Sequence, residues 1–410
     1  MPSIQPFRAL RYNPKRVGSL ARVVTPPYDV ISPEGQKSFY KAHPFNFIRI
    51  VYGKKQPSDA IGRNSYTRAR AALEDWTQKG VLQRDLEPGV YPYEQEYRLA
   101  GKKHRRLGLI GLVRLDAKIY PHEQIFGGPK LDRLELMKTV DASLDPIFGL
   151  VPDEAGRYRG LLQQVCASRK PLFSFEFQGV RHRLWRITDP AWIKKLQTAL
   201  RSKDLVIADG HHRFEAAKTY REERRKEPGY DPKAPYNFVM FYLSAAGGED
   251  PGLLPTHRLV NLKASAKLKE SLEQAKRLGV AEALKSKQAL VAKLGQLRER
   301  RRLGIGLYTG NGAGYLLQPR GGSAYDLDVE WLHEEVLPNW LDAAQLSYTQ
   351  DLDGAYRRVR KGNAQAVFVM QTPRLKDVLA RARAARRMPR KTTYFYPKLV
   401  SGLVGFPFGD

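Results

Sequence analysis

Asp209-Gly210-His211-His212-Arg213 places a carboxylate, two imidazoles and a guanidinium on one short stretch, with a glycine between the acid and the bases. That set suits a phosphorylated ligand. Gly210 has no side chain to block an approaching phosphate. The imidazoles donate hydrogen bonds, and the guanidinium grips two oxygens at once. Asp209 repels a phosphate, so a binding site alone does not need it. It suits a metal ion or a hydroxyl whose proton must leave. The rival reading is a helix cap with Asp209 as the capping residue. It accounts for Asp209 and Gly210 but not for three successive ionisable side chains.

The flanking pattern says how this stretch is held. Leu205 to Ala208 is apolar throughout and predicts a short buried strand. Asp209-Gly210 breaks it with turn chemistry. From Phe214 the residues are helix formers, with Ala217 and Tyr220 returning at helical spacing. Gly210 to Arg213 is therefore expected where a strand ends and a helix begins. There the first N–H groups lack intrahelical partners, and the helix dipole places roughly half a positive charge.

Other stretches carry candidate site residues. Ala21 to Thr25 predicts a strand stopped by Pro26-Pro27, with Tyr28-Asp29 in an exposed turn; Asp29 is either a site residue at a strand end or a turn cap. Phe45 to Tyr52 alternates like a strand. Val90 to Leu99 and Leu107 to Leu115 predict paired strands joined by a basic turn, Ala100 to Arg106. His122-Glu123 suggests a zinc helix of the His-Glu-x-x-His type, but Phe126 stands where the second histidine belongs, so that reading fails. Glu123 remains a candidate general base, against an interior or capping role. Gly127-Gly128-Pro129 reads as a loop before a helix over Leu131 to Val140. Arg133, in that helix's first turn, faces either an anionic ligand or solvent. Phe173, Phe175 and Phe177 alternate along one arm of a hairpin and read as core. His257 and Arg258, within an extended stretch from Leu253 to Val260, are candidate substrate or phosphate contacts. A helical stripe is expected through Leu268, Leu272, Ala275 and Leu278. Gly310 to Gly314 lies between two strand patterns, so Asn311-Gly312 predicts a hairpin turn and not a dinucleotide loop. From Arg390 to Lys398, cations alternate with aromatics. That suits nucleic acid. It equally suits a nucleotide site in which an aromatic such as Tyr394 stacks on the base while Lys391 and Lys398 contact phosphate. His122, His211, His212 and His257 are also a candidate metal set, weakened by the rarity with which adjacent histidines ligate one ion.

Asp-Gly-His-His-Arg after a strand resembles the phosphate-gripping loop of the ParB/sulfiredoxin superfamily, which includes partition CTPases, sulfiredoxin and free-serine kinases. The whole chain also resembles a prokaryotic family of unknown function. That likeness is carried by Pro26-Pro27-Tyr28-Asp29-Val30-Ile31-Ser32, Pro121-His122-Glu123, Asp132-Arg133-Leu134, Leu254-Pro255-Thr256-His257-Arg258 and Lys391-Thr392-Thr393-Tyr394-Phe395-Tyr396-Pro397-Lys398. Two departures stand out: Ile125 replaces a threonine usual in relatives, and Arg390 replaces an uncharged residue. The resemblance implies a nucleoside di- or triphosphate, ATP or ADP, as cofactor. It also implies that Tyr28, Asp29, His122, Arg133, His257 and Arg258 lie near the substrate.

Composition sets outer limits. The 410 residues, 42% of them hydrophobic, suffice for a substantial core and for more than one lobe. A single cysteine, Cys166, excludes an intrachain disulfide and fits a reducing cytoplasm. No apolar run approaches the roughly eighteen residues that a membrane span needs, and Met1 to Pro14 lacks the apolar core of a signal peptide. The net charge of +28, from 70 Lys and Arg against 42 Asp and Glu, attracts polyanions at low salt. It leaves open both a nucleic-acid partner and an anionic small molecule steered to a basic cleft. It does not decide the oligomeric state.

The expectation is a mixed α/β protein. Residues 1–262 form a ParB/sulfiredoxin-like core carrying the phosphate loop, and residues 263–410 form a helical and α/β region that completes the site. The function expected is nucleotide-dependent phosphoryl transfer to or from a small hydroxylated metabolite, free serine by resemblance. Gly210, His211, His212 and Arg213 hold the phosphates with Mg2+ bridging them, and Asp209 or Glu123 takes the hydroxyl proton. The rivals are a nucleic-acid-associated nucleotide switch and a phosphatase or nuclease built on the same loop.

Overall fold

A computed structural model describes residues 4–125, 127–201, 203–247, 252–262, 273, 277, 279–310, 314–320, 324–339 and 344–409. The stripe through Leu268, Leu272, Ala275 and Leu278, and the Asn311-Gly312 turn, lie outside these residues. The chain divides into two compact units. The first comprises residues 1–121, 125–252 and 397–410; the second comprises 122–124 and 253–396. Both contain strands and helices, so the chain is mixed α/β.

The first unit is built on an eight-stranded mixed sheet. Its strands are β1 (Tyr91–Leu99), β2 (Lys102–Arg114), β3 (Ile119–Tyr120), β4 (Ile147–Pro152), β5 (Phe173–Phe177), β6 (Val180–Leu184), β7 (Leu205–Asp209) and β8 (Phe238–Ala246). Across the sheet they run β3-β7-β4-β8-β2-β1-β6-β5. β7 is parallel to β3, β8 is parallel to β4, and the other neighbours are antiparallel. The helices are α1 (Ser65–Gln78), α2 (Gly127–Val140), α3 (Arg157–Ser168), α4 (Pro190–Leu200) and α5 (His211–Arg224). Period two on β8 sends Val239, Phe241 and Leu243 into one core, where they meet Leu134 and Met137 of α2, Leu162 of α3, Leu196 of α4 and Phe214 and Ala217 of α5.

Several local expectations change. The β1–β2 hairpin turns tightly at Ala100 and Gly101, both at positive φ (49° and 79°), as a two-residue turn requires. Lys102 to Arg106 is therefore strand, not turn. Phe45 to Tyr52 is not a strand: Ile48–Val51 is one helical turn whose Ile48, Ile50 and Val51 are all buried. Ala21 to Thr25 is likewise not a strand, because Leu20–Arg22 forms a 3-10 turn. Gly127, Gly128 and Pro129 lie inside α2 rather than in a loop.

The second unit holds a six-stranded antiparallel sheet: β9 (His257–Leu262), β10 (Gly279–Leu284), β11 (Ile305–Tyr308), β12 (Gly314–Pro319), β13 (Ala344–Thr349) and β14 (Ala366–Val369), in the order β10-β12-β11-β14-β9-β13. α6 (Lys287–Glu299) and α7 (Leu352–Arg360) cover it through Leu290, Leu294, Leu297, Ala355 and Val359, which form a second core with Leu259, Leu316 and Val367. β11 and β12 pair as expected. No helix among the described residues is long and apolar enough to cross a membrane.

Candidate functional site

The stretch from Leu205 to Arg213 folds as a strand running directly into a helix. In the β7–β4 ladder Ile207 faces Gly149 but Asp209 faces Phe148, so the register slips between Ile207 and Asp209. Such a bulge re-aims the side chain that follows it. Gly210 then turns the chain at φ 93° and ψ 25°, a left-handed conformation that a side chain would strain. α5 begins at His211, so His211, His212 and Arg213 form its first turn. Gly210, not Asp209, occupies the N-cap position of the helix. The positive end of the helix dipole lies at this junction.

Arg213 folds back over Gly210. A methyl group on Gly210 would stand 2.9 Å from Nη2 of Arg213. The guanidinium donates from Nη2 to Oδ2 of Asp209 at 3.1 Å and from Nη1 to the carbonyl of Pro146 at 2.5 Å. The other carboxylate oxygen, Oδ1, is ion-paired with Nζ of Lys398. Asp209 is thus held between two cations. Lys398 arrives here from the end of the chain because the hairpin grips its backbone. Gln95 Nε2 donates to the carbonyl of Lys398 at 2.9 Å, and Arg106 donates to Gln95 and to the carbonyl of Pro397. Arg106 is in turn stacked 4.7 Å over Phe148, the residue opposite Asp209.

A second group of expected site residues belongs to the same unit. Tyr28 and Asp29 sit in a 3-10 turn, with Asp29 exposed. Arg133 lies 4.0 Å over the ring of Tyr28. It donates to Asp132 Oδ2 from Nε at 2.9 Å and from Nη2 at 2.5 Å, and to the carbonyl of Val51 at 2.8 Å. Tyr66 holds the other oxygen of Asp132 at 2.8 Å. Arg133 is buried, so the solvated reading of it does not stand. Burial raises the Tyr28 phenol well above its ordinary value, against the pull of Arg133 and Arg213. Burial also raises the carboxyl of Asp145, which Arg213, Ser401 and Arg133 pull back. Both arginines act on both groups, so residues 28–29, 133, 145 and 213 share one electrostatic neighbourhood. Arg133, Asp145 and Arg213 line one cleft of about 30 Å3.

Lys398's pairing with Asp209 and the presence of Asp145 escape sequence reasoning. The first is a contact across 189 residues. For the second a weak signal existed: Asp145-Pro146 stands immediately before the apolar strand Ile147–Pro152, a carboxylate at a strand start.

The remaining expected residues belong to the second unit. His122 is fully buried, with Nε2 2.9 Å from the hydroxyl of Thr393. Oε1 of Glu123 accepts the backbone N–H of Lys391 at 2.8 Å, where Lys391 has φ 55°. Tyr394 pairs with Leu254 in a two-stranded ladder. Arg258 is 1% exposed. It donates to the carbonyl of Thr256, and from Nη2 to those of Arg390 and Lys391 at 3.3 and 3.2 Å, and burial lowers its guanidinium to about 10. His257 Nδ1 accepts the N–H of Met370 at 3.1 Å. Among the described residues no three His, Cys, Asp or Glu side chains are grouped to hold a metal ion, so the four-histidine set does not assemble.

Comparison with solved structures returns distant likenesses. A free serine kinase in complex with AMP is 15% identical at a TM-score of 0.37, covering 70% of this chain and 86% of the other. A conserved hypothetical protein from Pyrococcus furiosus is 15% identical at 0.37, covering 71% and 94%. SbnI with a C-terminal truncation, from Staphylococcus aureus, is 14% identical at 0.39, covering 71% and 84%. Among curated proteins nothing matches. The sequence match that decides membership runs over residues 4–343, and by it the chain belongs to the family described as Protein of unknown function (DUF1015).

Proposed function

We propose that this chain is a nucleotide-dependent phosphotransferase acting on a small hydroxylated metabolite, with ADP or ATP as the nucleotide. The observation that carries the reading is the Lys398–Asp209–Arg213 arrangement at a strand–glycine–helix junction. Each cation there is bound to a carboxylate that a phosphate can replace. When phosphate oxygens reach the first turn of α5, Arg213 and Lys398 exchange one anion for another, so no cation is left unpaired. The carboxylate of Asp209 is released at the same moment, next to the phosphoryl group. It is then placed to take the proton of an attacking hydroxyl, a role worth on the order of 10²–10⁴ in rate. His211 and His212 supply further donors from the same turn. Free serine as the acceptor rests on the loop's resemblance to free-serine kinases alone.

The donor set does not fit a metal held by the protein. Asp209 is the single carboxylate in the loop, and both its oxygens already bind cations. A Mg2+ ion would have to arrive on the nucleotide's phosphates, and no step here depends on it. The proton-accepting role is assigned to Asp209 because it stands directly before Gly210 and the first turn of α5.

The test is calorimetric titration with ADP and ATP, followed by a phosphotransfer assay with free serine and other small alcohols. Nucleotide should bind, and Asp209→Asn should still bind it while losing at least a hundredfold in turnover. Phosphate release without an acceptor would favour the hydrolase reading. No nucleotide binding at all would remove the proposal.

A further inference from the structure

The cleft beside the junction contains a group that the phosphate-binding reading does not use. Asp145 is 8% exposed, and its Oδ1 has no hydrogen-bond partner among the described residues. Burying a carboxylate oxygen without a partner is costly. Arg133 lines the same cleft, and Leu136, Met137 and Ile147 give it an apolar wall. Arg133 uses three N–H groups, two on Asp132 and one on the carbonyl of Val51. A guanidinium has five, so two remain for an anion. The cleft encloses about 30 Å3, room for a hydroxyl- or ammonium-sized group beside Asp145.

We propose that Asp145 and Arg133 together recognise the acceptor: a small molecule that carries a hydroxyl or ammonium donor close to a carboxylate. Asp145 takes the donor on its unpartnered oxygen, and Arg133 takes the carboxylate. An amino acid or a hydroxy acid meets both demands. A simple amine or a simple carboxylate meets one. This deepens the phosphotransferase reading, and it depends on that reading only for the fate of the bound molecule.

The experiment is calorimetry on the full chain without nucleotide, using four probes: L-serine, D-glycerate, ethanolamine and propionate. L-serine or D-glycerate should bind at least tenfold more tightly than either ethanolamine or propionate. Asp145→Asn, which keeps the volume and removes the charge, should erase that preference; Asp145→Ser replaces it if the first variant fails to fold by circular dichroism. Arg133→Met should weaken L-serine and propionate alike. Equal affinity for all four probes, no binding of any probe, or undiminished L-serine preference in the folded Asp145 variant would overturn the assignment. A parallel ADP titration keeps the two readings apart. ADP binding should survive in Asp145→Asn. If ADP fails to bind the unaltered chain, phosphoryl transfer falls, while the probe series still decides the role of Asp145.

Discussion

His212-Arg213 and His257-Arg258 are the same dipeptide in two settings, and the structure treats them differently. The Arg213 side chain is 12% exposed, and one of its partners is a carboxylate. Arg258 is sealed in, and its partners are the carbonyls of Thr256, Arg390 and Lys391 and, at 3.4 Å, Nε2 of His333, with the Tyr348 ring 5.6 Å away. A guanidinium that holds a carboxylate can trade it for a phosphate at little electrostatic cost, because one charged hydrogen bond replaces another. A guanidinium that holds neutral carbonyls in the interior has nothing comparable to trade. Releasing it would break three hydrogen bonds to carbonyls at once. Residue type did not separate these arginines; their partners do. Arg213 is placed to bind a ligand, and Arg258 is placed to fix the backbone before Thr392.

The contrast is sharpest in the Arg258→Ala variant. It breaks three hydrogen bonds to carbonyls and leaves a cavity where a large side chain stood, so unfolding in urea should show a loss of about 3–5 kcal/mol. A loss below about 1 kcal/mol would erase the distinction drawn here. Arg213→Ala should do the reverse. Folding should persist, and nucleotide affinity measured by calorimetry should fall by about 1.5–3 kcal/mol, the usual worth of a charged hydrogen bond. Unchanged affinity for both ADP and ATP would show that Arg213 is no phosphate ligand. Gly210→Ala probes the same junction more gently. Its methyl group would stand 2.9 Å from the Arg213 guanidinium at a φ of 93°. The left-handed conformation alone should cost about 1–2 kcal/mol of stability. Gly210→Asn, which tolerates that φ better, should cost less; an equal loss in both would locate the cost in crowding instead.

The junction itself was legible in the sequence because its signals are local. Four apolar residues, a turn pair and a return to helical spacing need no distant partner to be interpreted. The start of the helix was misplaced by three residues, since His211 to Arg213 lack the apolar periodicity that marks helix and yet form its first turn. The ion pair of Lys398 with Asp209 was not legible. It depends on Gln95 and Arg106, inside the β1–β2 hairpin, gripping the backbone of Pro397 and Lys398. Sequence patterning read Arg106 as part of a basic turn, and it is 4% exposed, within a strand. Ile48 to Val51 failed for another reason: a single helical turn with three buried residues has no period to read.

The weakest effect expected concerns acid stability in the second unit, and it follows from the same burial that fixes Arg258. Burial, with Arg258 adjacent, lowers both His257 and His333 from 6.5 to about 4, Asp351 acting weakly the other way on His257. The unfolded chain therefore takes up protons at these two sites between pH 6.5 and 4 while the folded chain does not. Stability falls on acidification through that window. Asp328 acts in the opposite sense. Burial raises its carboxyl from 3.8 to about 6, against the N–H of Gln371 and the charge of Arg258. The folded chain holds that proton where the unfolded chain has lost it, so acidification from pH 6 to 4 restores some stability. The two histidines act alone between pH 6.5 and 6, and Asp328 offsets part of their effect below that. In His257→Asn, whose side-chain oxygen can still accept the N–H of Met370, the acid-side fall in melting temperature should be shallower. In Asp328→Asn, which still accepts from Gln371, it should be steeper. Melting profiles from pH 7 to 4 that run parallel in all three proteins would mean that neither the imidazole nor the carboxyl titrates differently on folding. The sealed character assigned to the Arg258 neighbourhood would then be wrong.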